Sequence, residues 1–419
     1  MLGTGNVLIV DENGVIQDIL PISEAGDNVQ YHPGILSPGF INCHCHLELS
    51  HMKGLIPEKT GLVDFVITVM QQRNFATEVI LAGIETAETA MLENGIVAVG
   101  DICNTAFSLA QKQKGNLHYY NFIEATGFVP QFAEARFKQA EETYSRFLMS
   151  DVGFVISNQH SGNSVGKAVL NHKSNIIHHT SSVVPHAPYS TSLQLIQLIN
   201  NHSAGKVITI HNQETKEEES FFVNGESGFR KLFALFNINI DFYKPSGKSS
   251  LQTYLPYLNK AANLILVHNT FMSEEDVAFV NRQSSIVNEG TANDNLQSAI
   301  ANLQSIHDLS QETVFCLCPN ANLYIENALP NVDMLLKNNA NIVLGTDSLA
   351  SNHTLSILDE IKTLRSHFPH IPTERLLQWG TLNGAKALQM DGVLGSFEKG
   401  KKPCVICIDE NFEGVKRLI

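Results

Sequence analysis

Eight short apolar runs rich in strand-forming residues, β-branched or aromatic, recur along the chain, and a helical pattern follows most of them. One run precedes His44, and the other seven span Ile96–Asp101, His118–Glu124, Ser182–His186, Val207–His211, Leu264–His268, Val314–Pro319 and Ile342–Asp347. Strands that alternate with helices form a parallel sheet. Eight such units predict an α/β protein folded as a (β/α)8 TIM barrel, with its active site at the carboxyl ends of the strands.

The two ends of the chain predict β-structure outside the barrel. Residues 6–20 contain two β-rich runs around Asn13-Gly14, a strong hairpin signal, and Pro403–Asp409 predicts another strand. We therefore expect a small composite β-sandwich from residues 1–36 and 391–419, and a barrel over residues 37–390. Residues 284–312, rich in Asn, Gln and Ser, are expected to form a partly helical insertion between the sixth and seventh strands.

Charge and composition argue against several classes of protein. The net charge of −14 disfavours nucleic acid and anionic membrane surfaces as partners. The sequence has no apolar run of membrane-spanning length and no visible signal peptide. Seven cysteines, an odd number, predict a reduced, cytoplasmic protein. A homodimer is expected only because dimers are common.

The stretch after Pro38-Gly39 carries two histidines one residue apart, His44 and His46. Side chains alternate between the two faces of a strand, so both imidazoles would point the same way. Cys43 and Cys45 would then point to the opposite face, which disfavours a site that combines thiolates with these histidines. The pair predicts two ligands for one metal ion.

Further strand ends place candidate partners beside this pair. His211, His268 and Asp347 each follow an apolar run and should point into the mouth of the barrel. Imidazoles together with a carboxylate, with room left for water, are typical of a catalytic metal site rather than a closed structural one. A metal in such a site makes water nucleophilic near neutral pH. We expect one divalent metal ion, zinc first and iron second, since imidazole ligands suit both.

Glu214 follows His211 by three residues. If a helix starts there, the carboxylate lies close to His211 and could transfer protons during the reaction. Its alternative role is an acid at a helix start, where the helix dipole favours negative charge.

These motifs together resemble the amidohydrolase superfamily, and within it the aminohydrolase branch of guanine, S-adenosylhomocysteine and aminofutalosine deaminases and triazine chlorohydrolases. The resemblance extends over nearly the whole chain. It is carried by Pro38–His46, Pro185–Ser190, His211–Glu214, Val267–Thr270, Cys318–Leu323, Gly345–Ser348 and Gly395–Lys402. Aminofutalosine deaminases are the most similar in His46–Ser50, Val69–Asn74 and Gly345–Asn352.

The resemblance implies a role for each strand-end residue. The implied metal ligands are His44, His46, His211 and Asp347. Glu214 would be the proton shuttle, His268 would hydrogen-bond the attacking oxygen, and Asp347 would also accept a proton from water. His186 would contact the substrate. Further candidate substrate contacts are Glu48, Ser50, Glu124 and Ser348, although Glu48 and Ser50 could instead only brace His46 and its loop.

The predicted function is hydrolytic deamination of an amino-substituted heterocycle, a small-molecule substrate. A 6-aminopurine nucleoside such as aminodeoxyfutalosine, of menaquinone synthesis, is the first choice. Binuclear relatives carry a carboxylated lysine at the fourth strand end, where this chain has Val184-Pro185-His186, so a single metal is expected. The alternatives are a chlorohydrolase or cyclic-amide hydrolase of the same superfamily, and a metal-binding barrel without catalysis.

Overall fold

The computed structural model of the protein describes residues 5–151, 180–289 and 312–419. The chain begins with an antiparallel hairpin of strands β1 (Asn6–Val10) and β2 (Ile16–Pro21). Gly14 in the connecting turn has φ 81°, a left-handed conformation that glycine adopts without strain. The hairpin predicted from Asn13-Gly14 is therefore confirmed. Strand β3 (Ile35–Pro38) follows.

Eight parallel strands then form the centre of the molecule, in two four-stranded sheets ordered β4-β5-β6-β7 and β8-β9-β10-β11. Their side chains are almost all buried, as expected for strands covered on both faces. The strands are β4 (Phe40–Cys45), β5 (Ile96–Cys103), β6 (His118–Ala125), β7 (Thr180–Pro185), β8 (Val207–Asn212), β9 (Asn263–His268), β10 (Glu312–Leu317) and β11 (Asn341–Leu344).

Backbone hydrogen bonds at both seams join the two sheets into a barrel. At one seam, a parallel bridge pairs Cys45 with Asp347, and the amide of Thr346 donates to the carbonyl of His44 at 3.0 Å. At the other, the amide of His211 donates to the carbonyl of His186 at 2.9 Å. The fold is thus an α/β barrel, which confirms the prediction from the eight apolar runs.

Helices connect the strands and cover the barrel. Their order matches the predicted alternation, with several short helices added where the chain turns over the barrel mouth. The helices are α1 (Leu62–Gln72), α2 (Thr77–Glu93), α3 (Leu109–Lys112), α4 (Ala133–Asp151), α5 (Leu193–His202), α6 (Lys216–Val223), α7 (Phe229–Leu235), α8 (Ser250–Tyr254), α9 (Glu274–Glu289), α10 (Pro319–Glu326), α11 (Val332–Lys337), α12 (Ile357–His367), α13 (Thr373–Gln378) and α14 (Gly384–Ala387).

The carboxyl-terminal segment returns to the β-structure near the start of the chain. Strand β12 (Val405–Ile408) pairs antiparallel with β3 and with a last strand, β13 (Val415–Arg417), which the sequence did not suggest. The amide of Ile16 in β2 donates to the carbonyl of Lys401 at 2.9 Å. Both chain ends thus lie together, while the division into units at residues 36 and 391 stays a prediction.

Three expectations differ from the structure or fall outside it. Strand β11 ends at Leu344, so Asp347 lies in the following loop with φ 56°. Strand β10 ends before Cys318, which precedes α10 instead of sharing a strand with Cys316. Residues 284–289 continue α9, and the rest of the predicted insertion, 290–311, lies outside the described residues.

Two further observations concern the cysteines and the helices. All seven cysteines are buried free thiols. Within the described ranges, no helix combines the length and the apolar character that crossing a bilayer requires.

Candidate metal centre

Four side chains from three strand ends converge at the mouth of the barrel. His44 lies on β4 and His46 directly follows it, while His211 lies on β8 and Asp347 lies just beyond β11. One ligand atom from each of the four lies within 4.8 Å of the others. The barrel topology therefore brings together residues from opposite ends of the barrel sequence, such as His44 and Asp347.

The distances between these donor atoms leave a space bounded by nitrogen and oxygen. Asp347 Oδ1 lies 3.6 Å from His44 Nε2 and 3.4 Å from His46 Nε2. His46 Nε2 and His211 Nε2 lie 3.2 Å apart. Cys43 and Cys45 lie instead in the hydrophobic core. This division confirms the alternation predicted for the strand.

The donor set fits a divalent transition metal. Both ring nitrogens of His44 are fully buried, and neither has a hydrogen-bond partner in the part of the chain that the structure describes. A buried polar atom without a partner is costly unless something binds it. Burial lowers the pKa of His44 and His46, and burial with the neighbouring imidazoles lowers that of His211 well below its usual value. Neutral imidazole is the form that binds a metal.

Contacts behind the donor atoms fix their orientation. His211 Nδ1 donates to the backbone carbonyl of His186 at 2.7 Å, which leaves Nε2 facing the cluster. Asp347 Oδ2 accepts a hydrogen bond from Ser351 Oγ at 2.6 Å, which leaves Oδ1 toward the imidazoles. Burial opposes ionisation of Asp347, but the neighbouring histidines outweigh it and lower the pKa of the carboxyl group. Such outer contacts typically set the tautomer and direction of metal ligands.

A second pair of residues lies beside the four donors. His268 Nδ1 is hydrogen-bonded to Asn322 Oδ1 at 2.8 Å, and its buried Nε2 lies 3.6 Å from Glu214 Oε1. Burial, with the charges of Asp347 and Glu326, raises the pKa of Glu214 well above its usual value. The ring of His268 lies 5.7 Å from that of His44, centroid to centroid. The site therefore holds a carboxyl group that can exchange protons next to the donor cluster.

Glu214 lies in a loop and not in a helix. Helix α6 begins at Lys216, and the side chain of Thr215 caps it by accepting a hydrogen bond from the amide of Glu217. The expected helix at His211 is thus displaced by five residues, because β8 continues to Asn212 and Gln213 turns the chain with φ 46°. Glu214 nevertheless reaches the cluster, which weakens its alternative role as an acid of the first helical turn.

His186 and Glu124 lie on the side of the site formed by β6 and β7. The ring centroid of His186 is 4.8 Å from that of His211, and its Nδ1 is hydrogen-bonded to Ser190 Oγ at 2.6 Å. Glu124 Oε2 accepts a hydrogen bond from Asn104 Nδ2 at 2.7 Å. Glu124 Oε1 lies 3.9 Å from His211 Nδ1 and is buried without a hydrogen-bond partner among the described residues. Both residues have polar groups that could meet a substrate.

The other three candidate substrate contacts are engaged within the protein. Glu48 accepts hydrogen bonds from the amide and hydroxyl of Thr105, and burial raises its pKa to about 7. Ser50 Oγ donates to the carbonyl of Leu47, and Ser348 Oγ is hydrogen-bonded to Ser351 Oγ. These contacts hold all three side chains within the protein, and both the bracing of His46 and a contact with substrate stay predictions.

Two residues of the site had no role in the sequence analysis. Asn322 holds His268, and Ser351 holds Asp347. Both lie inside segments that carried the resemblance, but neither type is a metal ligand or a strong proton-transfer group. Only the three-dimensional contact reveals what each one orients.

Comparison with known proteins shows which family the chain resembles. The model of the amidohydrolase family matches residues 35–417. A 5-methylthioadenosine/S-adenosylhomocysteine deaminase of Saccharophagus degradans is 23% identical over 427 aligned positions, covering 96% of this chain and 78% of the relative.

Two solved structures have the same fold. The aminofutalosine deaminase of Helicobacter pylori in complex with methylthio-coformycin has a TM-score of 0.70 and 19% identity, covering 99% of this chain and 89% of its own. An adenosine deaminase of Xanthomonas campestris with bound zinc has a TM-score of 0.60 and 19% identity, covering 97% and 80%. The chain belongs to the amidohydrolase family and is a hydrolase of the class that acts on carbon–nitrogen bonds other than peptide bonds.

Proposed function

We propose that this protein deaminates adenosine-like nucleosides by hydrolysis, with a single divalent metal ion held by His44, His46, His211 and Asp347. The observation that carries the proposal is the Glu214–His268 pair, 3.6 Å apart, beside this donor cluster. The similar proteins support the same reaction, since they are a 5-methylthioadenosine/S-adenosylhomocysteine deaminase, an aminofutalosine deaminase and an adenosine deaminase. Aminodeoxyfutalosine is the first candidate substrate.

The reaction exchanges an amino group for oxygen: water and the 6-aminopurine give the 6-oxo purine and ammonia. A divalent ion in the site would activate water at neutral pH. Glu214 would take a proton from the attacking water and deliver it to the adjacent ring nitrogen, which makes the carbon more electrophilic. Burial and neighbouring negative charge raise the pKa of Glu214, so its carboxyl group holds a proton more readily than an ordinary glutamate and can pass it to the ring nitrogen.

The remaining residues orient the reactants. His268 Nε2 would hydrogen-bond the attacking oxygen, while Asn322 holds the ring by its Nδ1. Asp347 would accept the second proton of the water and pass it to the amino group, which leaves as ammonia. Glu124 Oε1 and His186 would contact the substrate from the β6–β7 side, since both lie next to His211.

An ammonia-release screen tests the proposal. Metal-loaded protein is assayed with adenosine, 5′-deoxyadenosine, 5-methylthioadenosine, S-adenosylhomocysteine and aminodeoxyfutalosine, and Glu214→Gln purified in parallel reports contaminating deaminases. We expect release from at least one nucleoside, and release at least about 100-fold slower from the variant. If every 6-aminopurine nucleoside is left intact while a chlorinated triazine or a cyclic amide is turned over, the deaminase proposal is wrong and the family assignment stands.

Elemental analysis tests the metal. One equivalent of zinc or iron per chain is expected, since the four donors form one cluster and the fourth strand end carries no lysine. Two equivalents, with activity that requires both, would contradict the single-metal proposal.

A further inference from the structure

Gln213 lies between His211 and Glu214 and has φ 46°, in the left-handed region of backbone conformation. Residues with a Cβ atom rarely adopt this conformation, and those that do are held there by their surroundings. The conformation ends β8 abruptly and turns the next residue, Glu214, toward His268. The direction of the Glu214 side chain thus depends on what holds Gln213.

Four hydrogen bonds hold Gln213, and each uses a different polar group of the residue. Its amide donates to Glu218 Oε1 at 3.1 Å, and its carbonyl accepts from the amide of Phe271 at 2.9 Å. Its side-chain Nε2 donates to Asp276 Oδ2 at 2.7 Å, and its Oε1 accepts from Asn212 Nδ2 at 3.4 Å. We name these four partners the Gln213 cradle. They come from β8, α6, the loop after β9 and α9.

Asp276 is the most extensively bonded member of the cradle. It is 1% exposed, and Oδ2 also accepts from Ser273 Oγ at 2.7 Å. Its other oxygen, Oδ1, accepts from Ser249 Oγ at 2.5 Å and from Gln252 Nε2 at 2.9 Å. Burial opposes ionisation, but these hydrogen bonds outweigh it and lower the pKa of Asp276. A buried, fixed carboxylate is therefore available to accept a hydrogen bond from the side-chain amide of Gln213.

Glu218 supports Gln213 from the opposite side. Its side chain is fully buried on α6, and Oε1 also accepts a hydrogen bond from Ser250 Oγ. Neither Glu218 nor Asp276 takes part in the proposed chemistry. Two buried carboxyl groups, from helices α6 and α9, thus converge on one neutral residue that directly precedes the proposed proton shuttle.

We propose that Gln213 is a positioning residue, which the cradle fixes so that the Glu214 carboxylate faces His268 Nε2. This inference rests on the proposed role of Glu214 in proton transfer. The bond from Phe271 to Gln213 links the cradle to the loop that follows His268, so both members of the pair are held relative to one another. Gln213 is not one of the proposed metal ligands and acts through Glu214.

Gln213→Met tests the proposal, because methionine keeps the length and apolar volume of the side chain but cannot donate to Asp276. A displaced proton-transfer group costs about 10²-fold when it moves by about 1 Å, so kcat should fall by roughly 10- to 100-fold. KM, metal content and melting temperature should stay close to wild type. Gln252→Met is the matched control, since it removes one bond to the other oxygen of Asp276 without touching Gln213, and it should retain wild-type kcat.

A double-mutant cycle separates positioning from general stability. If Gln213 acts through Glu214, adding Gln213→Met to Glu214→Gln should cause no further loss of kcat. Equal losses in both backgrounds, or a wild-type kcat in Gln213→Met, would overturn the proposal. Should Gln213→Met fail to fold, Asp276→Asn replaces it, with a smaller kcat loss expected and wild-type kcat as the contrary result. A near-normal rate in Glu214→Gln itself would instead reject the proposed function.

Discussion

The Glu214 carboxyl group combines a buried position with a neighbouring negative charge. Burial is the main cause of its raised pKa, and Asp347 adds to it. A raised pKa makes it easier for a glutamate to hold the proton that it transfers, whereas an ordinary exposed glutamate is ionised at neutral pH. The same environment would be of no use to a residue whose only role was to begin helix α6.

Glu214→Gln should therefore retain metal but lose most turnover, because glutamine keeps the shape of the side chain and cannot carry the proton. A proton-transfer residue typically contributes ~10²–10⁴-fold to the rate, and we expect kcat to fall in that range. Steady-state ammonia release and elemental analysis measure the two effects. Glu219→Gln, an exposed change on α6, is the control with wild-type turnover. A near-normal rate in Glu214→Gln would reduce the residue to a structural acid.

An ion pair joins helix α3 to strand β5, next to the segment that carries His46. Lys112 Nζ lies 2.5 Å from Asp101 Oδ2, and both side chains are completely buried. The other oxygen of Asp101 accepts a hydrogen bond from the amide of Leu47 at 2.8 Å, directly after His46. The pair thus connects a short helix to the segment that carries one of the proposed metal ligands.

Lys112→Met should destabilise the protein strongly, because it leaves the Asp101 carboxylate buried without its cation. Breaking a buried pair in this way costs about 3–5 kcal/mol. Lys114→Met is the matched control two residues away, since Lys114 pairs with Glu85 on the surface, and an exposed pair contributes about 0–1 kcal/mol. Urea denaturation of the wild type and both variants gives the loss in free energy of unfolding that each substitution causes. Equal, small losses of stability in the two variants would show that Asp101 stays buried without a large cost when Lys112 is removed.

Elements of regular structure were more predictable from the sequence than the contacts that fix the site. The barrel strands were recognisable because each is a buried run of β-branched, aromatic or other apolar residues, and the candidate ligands because they end such runs. Asp347 lies three residues beyond its strand, and Glu214 precedes its helix, because loop turns at positive φ are set by tertiary hydrogen bonds. The partnership of Lys112 with Asp101 likewise has no sequence pattern, since it depends on how α3 packs.

At the scale of the whole molecule, the seam between β4 and β11 closes the barrel and carries the proposed metal site. A side chain at Gly345 would place its Cβ 2.8 Å from His44 Cβ and 2.9 Å from Cys316 Sγ. These distances are shorter than the packed interior allows. Glycine at this position therefore lets β11 approach β4 closely enough for Asp347 to reach the histidines.

Gly345→Ala should weaken metal retention and lower the melting temperature together, because the added methyl group pushes β11 away from His44. Overpacking of this kind costs about 1–3 kcal/mol. Gly392→Ala is the control, since a Cβ there has no neighbour within 4 Å. Metal content after dialysis against a weak chelator and a thermal melt measure both effects. Wild-type metal retention in Gly345→Ala would mean that the seam between β4 and β11 accommodates the methyl group.

The buried histidines also connect the site to the stability of the whole chain. The pKa of His211 is lowered well below 6.5, mainly by burial, so the folded state keeps this ring neutral at a pH where the unfolded chain binds a proton. Stability then rises with pH in this window and falls as the pH drops below about 6.5. Metal binding depends on pH in the same direction as this stability, because it also requires neutral imidazole.

In metal-free protein, the free energy of unfolding of the wild type should decrease relative to His211→Gln as the pH falls from neutrality, by at most about 1.4 kcal/mol per pH unit. Glutamine can still donate to the carbonyl of His186 but cannot take up a proton, so the difference between the two proteins isolates the titration of His211. Urea denaturation at several pH values measures it. His367→Gln, at an exposed histidine of α12, is measured in parallel as the surface control. Parallel pH profiles for wild type and His211→Gln would mean that the imidazole of His211 titrates in the folded protein as it does in the unfolded chain.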